Sequence, residues 1–290
     1  MKLNLSEKSV FSKLLLLLMI VAVLVCTVAC GGTEEPASGD GTKPGAGGEK
    51  ITIEETLCFE YEGFKVTAKS LEKNELKLLL ENNGTEARAM SVDEVVVNGC
   101  VMSSLLSEEV APGKKSNQSL EIYSTQMKDA GISFIGEITV YCHLYDPETY
   151  MTVKNIDPFT IRTSAYERME ARNTEGRIVY DDNDVKVIIK SLKDDPIWGE
   201  SLLLYVENNG STDIGVSCES LSVNGFMMTT LFSETIFCGT YTVSDLELLS
   251  SSLEENGITD IESISFSLNF YNKQNYHSLF KTEEITYQVK

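Results

Sequence analysis

Leu76–Gly84 reads L-K-L-L-L-E-N-N-G, and Leu202–Gly210 reads L-L-L-Y-V-E-N-N-G. The offset is 126 residues, and it holds without a gap from Leu76–Thr163 to Leu202–Val289. Within that span Val97-Asn98-Gly99 falls on Val223-Asn224-Gly225, Gly113 on Gly239, and Gly131-Ile132 on Gly257-Ile258. One unit is written twice. Leu76, Leu78 and Leu80 alternate on one face, and Leu79 makes the other face apolar too, the pattern of a strand inside a sheet. The Asn-Asn-Gly that follows supplies residues tolerant of positive φ, so a chain reversal is expected there.

Strand patterns recur on either side of this motif. Phe64–Leu71 and Val185–Leu192 read as strands. Met90, Val92, Glu94 and Val96 alternate with Ser91, Val95 and Val97. Ile138, Val140, Cys142 and Leu144 do the same, as do Ile264, Phe266, Leu268 and Phe270, which predicts strands with one buried face. Ser124–Ala130 and Ser250–Asn256 each run into Gly-Ile, the pattern of a Schellman stop, so one short helix is expected per unit. Many short strands with turn signals about every ten residues predict an all-β chain of two tandem immunoglobulin-like β-sandwich domains. A length of 290 residues suits two such domains of roughly 100–150 residues each. The repeats are placed at 51–163 and 178–290. Ser164-Ala165-Tyr166-Glu167 matches a capping box, so the connector at 164–177 is expected to be helical or semi-rigid.

The N-terminus reads differently. Lys2, Lys8 and Lys13 precede an apolar run from Leu14 to Ala29, which is the length of a signal peptide and short for a membrane span. It ends Thr27-Val28-Ala29-Cys30-Gly31-Gly32, which resembles a bacterial lipobox, with Thr27 where Leu is usual. The resemblance implies a lipoprotein signal peptide at 1–29 and a lipid-modified Cys30. Residues 30–50 continue with Gly, Pro, Ser and charge, a composition that predicts a disordered tether. Over Ile51–Lys290, the E-N-N-G, V-N-G and G-I motifs resemble those of bacterial (Firmicutes-type) lipoproteins with tandem immunoglobulin-like domains. The resemblance implies a lipid-anchored, extracytoplasmic location at the bacterial cell membrane. The motifs are structural, so they imply a fold and no activity.

The formal net charge is -20, and a surface of that sign repels nucleic-acid phosphate. The expected partners are therefore the membrane, through lipid on Cys30, and an unknown protein or glycan, with no nucleic acid. The later cysteines align with apolar residues or proline in the other copy, so they read as small buried hydrophobes. A bridge, if one forms, lies among Cys58, Cys100 and Cys142. There is no C-x-x-C, and His143 and His277 stand at non-equivalent positions, so neither a metal nor a cofactor is expected. No nucleophile motif supports catalysis. Asp181–Asp184 opens like a calcium loop, but Lys186 stands where the turn glycine belongs, so a turn is expected.

Two sets of residues are binding candidates. Tyr145 and Tyr150 flank one four-residue hairpin tip, and Tyr271 and Tyr276 flank its counterpart; each pair offers either rigid contact area or a cross-strand closure. Trp198, the sole Trp, sits in an insertion found only in the second copy. These features predict a non-enzymatic binding, adhesion or scaffold lipoprotein. The alternative is an accessory solute- or glycan-binding lipoprotein that uses a pocket between its two domains.

Overall fold

The computed structural model describes residues 50–195 and 199–289. They lie within one compact unit, Glu49–Lys290. Residues 1–49, which hold the expected signal peptide, Cys30 and all but the last residue of the expected tether, and Trp198 lie outside the described residues.

The first repeat contains β1 (Thr56–Tyr61), β2 (Phe64–Glu72), β3 (Glu75–Asn82), β4 (Arg88–Val97), β5 (Cys100–Met102), β6 (Ser107–Val110), β7 (Lys114–Glu121), α1 (Ser124–Ala130), β8 (Glu137–Tyr145), β9 (Thr152–Asn155) and β10 (Phe159–Arg162). The second contains β11 (Arg177–Asp182), β12 (Val185–Asp195), β13 (Gly199–Asn208), β14 (Ile214–Val223), β15 (Phe226–Met228), β16 (Ser233–Ile236), β17 (Tyr241–Glu247), α2 (Ser250–Glu255), β18 (Ser263–Asn272), β19 (Ser278–Lys281) and β20 (Ile285–Gln288). Each repeat is an all-β, immunoglobulin-like sandwich with one short helix, as the periodicity predicts.

Sheet order shows how the two are joined. The first repeat sets β1-β2-β3-β7 against β10-β8-β4-β5. The second sets β11-β12-β13-β17 against β15-β14-β18-β19. β5 pairs in parallel with β17, Cys100 opposite Tyr241 and Val101 opposite Thr242, so one ten-stranded sheet runs through both repeats. Tyr241 N–H donates to Gly99 O at 3.0 Å, and Thr242 Oγ1 donates to Val101 O at 3.2 Å.

The cores follow from the same alternation. Val187, Ile189, Leu202, Leu204, Val206 and Leu246 point into the second sandwich. Ile188, Leu203, Tyr205, Tyr241 and Val243, from the opposite face of the same sheet, join the core of the first. Tyr205 and Tyr241 stack there with centroids 5.0 Å apart. This is why the second copy of the opening motif is buried on both faces, whereas Lys77 and Leu79 of the first are only half-buried.

Three local expectations are corrected. Neither Asn83-Gly84 nor Asn209-Gly210 takes positive φ. The motif works instead through a buried side chain: Asn82 Nδ2 donates to Glu86 O and Val110 O at 2.8 Å, and its Oδ1 accepts Gly84 N–H at 3.0 Å. Asn208 repeats this with Thr212 O, Ile236 O and Gly210 N–H. A Cβ on Gly84 would lie 2.8 Å from Glu62 O, so the third position is small for reasons of space. In β4 the register shifts between Val92 and Glu94, a bulge that turns Val95 and Val97 inward and places Glu94 on the outer face. The connector holds only a single 3-10 turn, Tyr166–Arg168, without a side-chain cap, because Ser164 Oγ accepts Thr52 N–H instead.

Other expectations match the structure. Asn98-Gly99 and Asn224-Gly225 have left-handed φ in their turns. Gly131 closes α1 at φ 73, with Ile132 N–H donating to Met127 O at 2.7 Å. Asn183 and Asp184 form a tight turn at φ 52 and 58 in place of a calcium loop. The cysteines from Cys58 onward are free thiols; Cys100 and Cys142 are buried as expected, whereas Cys58 and Cys218 are only half-buried and Cys238 is exposed.

Candidate functional site

Both tyrosine hairpins are built in the same way. Asp146 Oδ1 accepts Glu148 N–H at 2.8 Å and Thr149 N–H at 3.0 Å, and Tyr150 N–H donates to Asp146 O at 2.8 Å. In the second repeat Asn272 Oδ1 accepts Gln274 and Asn275 N–H, and Tyr276 N–H donates to Asn272 O at 2.8 Å. The amides of Thr149 and Glu148 hold the Asp146 carboxyl below its usual range. Tyr150 and Tyr276 sit at φ 58 and 60, a conformation unfavourable for a bulky side chain.

This backbone stacks the outer tyrosine on the inner one. Tyr145 and Tyr150 are 6.2 Å apart at 16°, and Tyr271 and Tyr276 are 6.0 Å apart at 26°. The inner rings are half-buried and lie near serines, Tyr145 Oη being 2.9 Å from Ser107 Oγ and Tyr271 Oη 3.4 Å from Ser233 Oγ. The outer rings are 78% and 70% exposed. Stacking closes each hairpin, the structural role expected of these tyrosines, and leaves the outer residue exposed. Gly215 lets the Tyr271 ring lie against the strand, since a Cβ there would come within 2.2 Å of it.

The first hairpin carries an extension that alternation alone does not reveal. His143 lies 5.9 Å from the Tyr145 ring, and its Nδ1 is 2.9 Å from Asp93 Oδ1. Asp93 is the residue freed by the β4 bulge. Asn269 occupies the equivalent of His143 in the second repeat, so the two platforms are related but not identical.

The joint between repeats holds the other polar concentration. Glu94 is pushed up to about 7 by burial and by Glu234 across the joint, with Lys273 opposing and Asp93 adding to the rise. Burial also raises Glu234, whose Oε1 accepts a hydrogen bond from Ser244 Oγ. Lys193 Nζ bridges Asp129 of the first repeat and Asp245 of the second at 2.8 and 2.9 Å. Arg172 of the connector donates to Glu207 Oε1 at 2.5 Å and Gly239 O at 2.6 Å while lying over the Tyr241 ring. A cleft of about 360 Å³ opens beside this region, lined by Gln126 and Asp129 of the first repeat and by Phe232, Glu234, Val243 and Asp245 of the second. Among the described residues, no group of three or more His, Cys, Asp or Glu side chains is arranged to hold a metal ion.

No protein-family model matches the chain, and no curated protein matches it. Among solved structures, the chain is similar to red sea bream transglutaminase at 10% identity and a TM-score of 0.22, covering 80% of this chain and 32% of that one. It is also similar to the exo-chitosanase CsxA of Amycolatopsis orientalis at 8% identity and a TM-score of 0.24, covering 79% of this chain and 26% of that one. A third similarity, to the calcium binding domain CBD12 of CALX1.1, has 13% identity and a TM-score of 0.18, and covers 68% of this chain and 73% of that one. The chain therefore spans about a third or less of the first two proteins.

Proposed function

We propose that this chain is a lipid-anchored, extracytoplasmic binding or scaffold protein without catalytic activity, which presents two tyrosine platforms from one fused pair of sandwiches. The observation that carries this reading is the duplicated hairpin. Each copy keeps a tyrosine in strained backbone and exposes most of its ring, an arrangement that costs about 1–3 kcal/mol per residue and has no core to fill. Rigid aromatic faces with a hydroxyl suit a glycan or a protein surface. Anchorage rests on the Cys30 lipobox and its tether, and the acidity of the chain disfavours nucleic acid.

The test is a binding panel of oligosaccharides, cell-wall fragments and candidate proteins, read on the soluble 51–290 protein and on a Tyr150→Ala/Tyr276→Ala variant. The proposal expects a bound class whose affinity falls at least tenfold in the double variant while thermal stability changes little. Full binding by the double variant would remove the platforms from the account.

One observation favours a second reading, an accessory solute-binding role for the inter-repeat cleft. Gln126 Oε1 lines this side of the joint, buried and without a hydrogen-bond donor among the described residues. A solute that donates to it would be lost with Gln126→Leu and kept in the tyrosine variant.

A further inference from the structure

The two copies of one strand have opposite fates. In the first repeat β5 lies in the joint: Cys100, Val101 and Met102 are 1%, 4% and 3% exposed, with Cys100 and Val101 paired to β17 of the second repeat. Their equivalents in β15 are Phe226, Met227 and Met228. β15 ends its sheet, with Phe226 48% and Met227 69% exposed. The adjoining turns differ in the same sense. A Cβ on Gly99 would meet Arg172 and Tyr241, whereas one on Gly225 would meet nothing within 4 Å. The second repeat thus carries the joint-forming edge, more apolar than in the first, with nothing among the described residues seated on it.

We propose that Phe226–Met228 is a docking edge for a further β-sandwich that presents an apolar edge strand, in the parallel manner in which β17 seats on β5. The chain's own joint defines the partner's chemistry: outward apolar residues like Tyr241 and Val243, and a free strand edge offering backbone N–H and C=O groups. A second copy of this chain does not fit. Its β17 is occupied, and the matching face of its first repeat has Lys77, Lys115 and Asn117 where Leu203, Tyr241 and Val243 stand in the second. The sheet behind β15 carries Ser220, Ser222 and Ser267 in place of Glu94, Val96 and Tyr141, so the partner meets hydroxyls there rather than a ring stack. This surface lies apart from the tyrosine platforms: along β14, Gly215 pairs with Tyr271 at one end and Val223 with Phe226 at the other. At 3.2–3.4 Å per residue that separation is about 25 Å.

The test appends residues 164–290, connector and second repeat, after Lys290 of the 290-residue chain. Exchange protection at 226–228 and the rate of peroxide oxidation of Met227 are then compared with the parent. The proposal expects Met227 to oxidise at least tenfold more slowly in the fusion, and expects protection at 226–228 to be lost again on Met227→Glu. Parent-like Met227 reactivity in the fusion, whether or not the added copy folds, overturns it. Sedimentation of the parent chain supplies the second arm. A monomer supports a foreign partner, and a dimer abolished by Met227→Glu overturns it in favour of self-association.

Discussion

The ring of Phe237 lies flat on that of Tyr141, with 3.7 Å between centroids and 3° between planes. Tyr141 belongs to the outer face of the first repeat, and Phe237 to the loop after β16 in the second. Together with Val96 and Val101 they form a small buried cluster of their own. The stack clamps the side of the joint away from Tyr205 and Tyr241. Phe237→Ala should cost about 3 kcal/mol by denaturant unfolding, the low end for a buried Phe, because it empties a site that only two strands and one ring enclose. A change below about 1 kcal/mol would mean that the clamp is incidental.

Glu94 makes the joint sensitive to pH. Its folded-state carboxyl titrates near 7 instead of 4.5, through burial first and repulsion from Glu234 second, partly offset by Lys273. Between these values the folded state holds a proton that the unfolded state has released. Stability is therefore full below about pH 4.5, falls as pH rises through 7, and levels off above. Glu94→Gln should flatten that decline and raise the melting temperature at pH 8. A melting profile as steep in the variant as in the parent would assign the pH dependence to other groups, Glu234 first among them.

Thiol chemistry should divide the cysteines. Cys100 and Cys142 are buried with thiols pushed up to about 12, so neither presents thiolate at neutral pH. Cys238 is exposed, though desolvation and Asp213 raise its thiol too. Alkylation of the native 51–290 protein at pH 8, followed by peptide mass mapping, should label Cys238 first and leave Cys100 and Cys142 unmodified until unfolding. Early labelling of Cys142 would contradict the packing described here.

The buried asparagine of each E-N-N-G motif should be costly to remove. Asn82→Ala strips partners from Glu86 O, Val110 O and Gly84 N–H at once, and Asn208→Ala does the same in the second repeat. Unsatisfied buried groups cost about 1–3 kcal/mol each, so a loss of roughly 3 kcal/mol is expected from either substitution in equilibrium unfolding. Asn83→Ala, whose side chain lacks this role, should change stability by less than about 1 kcal/mol and serves as the control.

Much of the fold was legible because it is local. Alternation marks β8 and β18, Gly-Ile marks both helix stops, and Asn-Gly marks the turns after β4 and β14. The role of Asn82 is hidden in the sequence because Gly84 N–H and Glu86 O are local partners that look like an ordinary turn, and only Val110 O, the partner set by tertiary contact, shows that the side chain is buried. The joint left a trace that only the comparison of copies exposes. L-L-L-Y-V is apolar throughout where L-K-L-L-L is not, and Tyr241 and Val243 replace Lys115 and Asn117. Position by position those differences resemble drift; together they mark the one face that seats on a neighbour. The tyrosine hairpins were found directly, since both copies keep the pair. The His143–Asp93 extension was not, because it depends on a bulge that shifts the register by one residue.

The central claim is that a shared sheet and a shared core make the two sandwiches one body, so that both tyrosine platforms are held at a fixed separation. Differential scanning calorimetry of the soluble 51–290 protein tests this most directly. The account predicts a single transition whose van't Hoff and calorimetric enthalpies agree for the whole unit. Two separable transitions, or a calorimetric enthalpy near twice the van't Hoff value, would show the repeats unfolding independently and would contradict the fused arrangement.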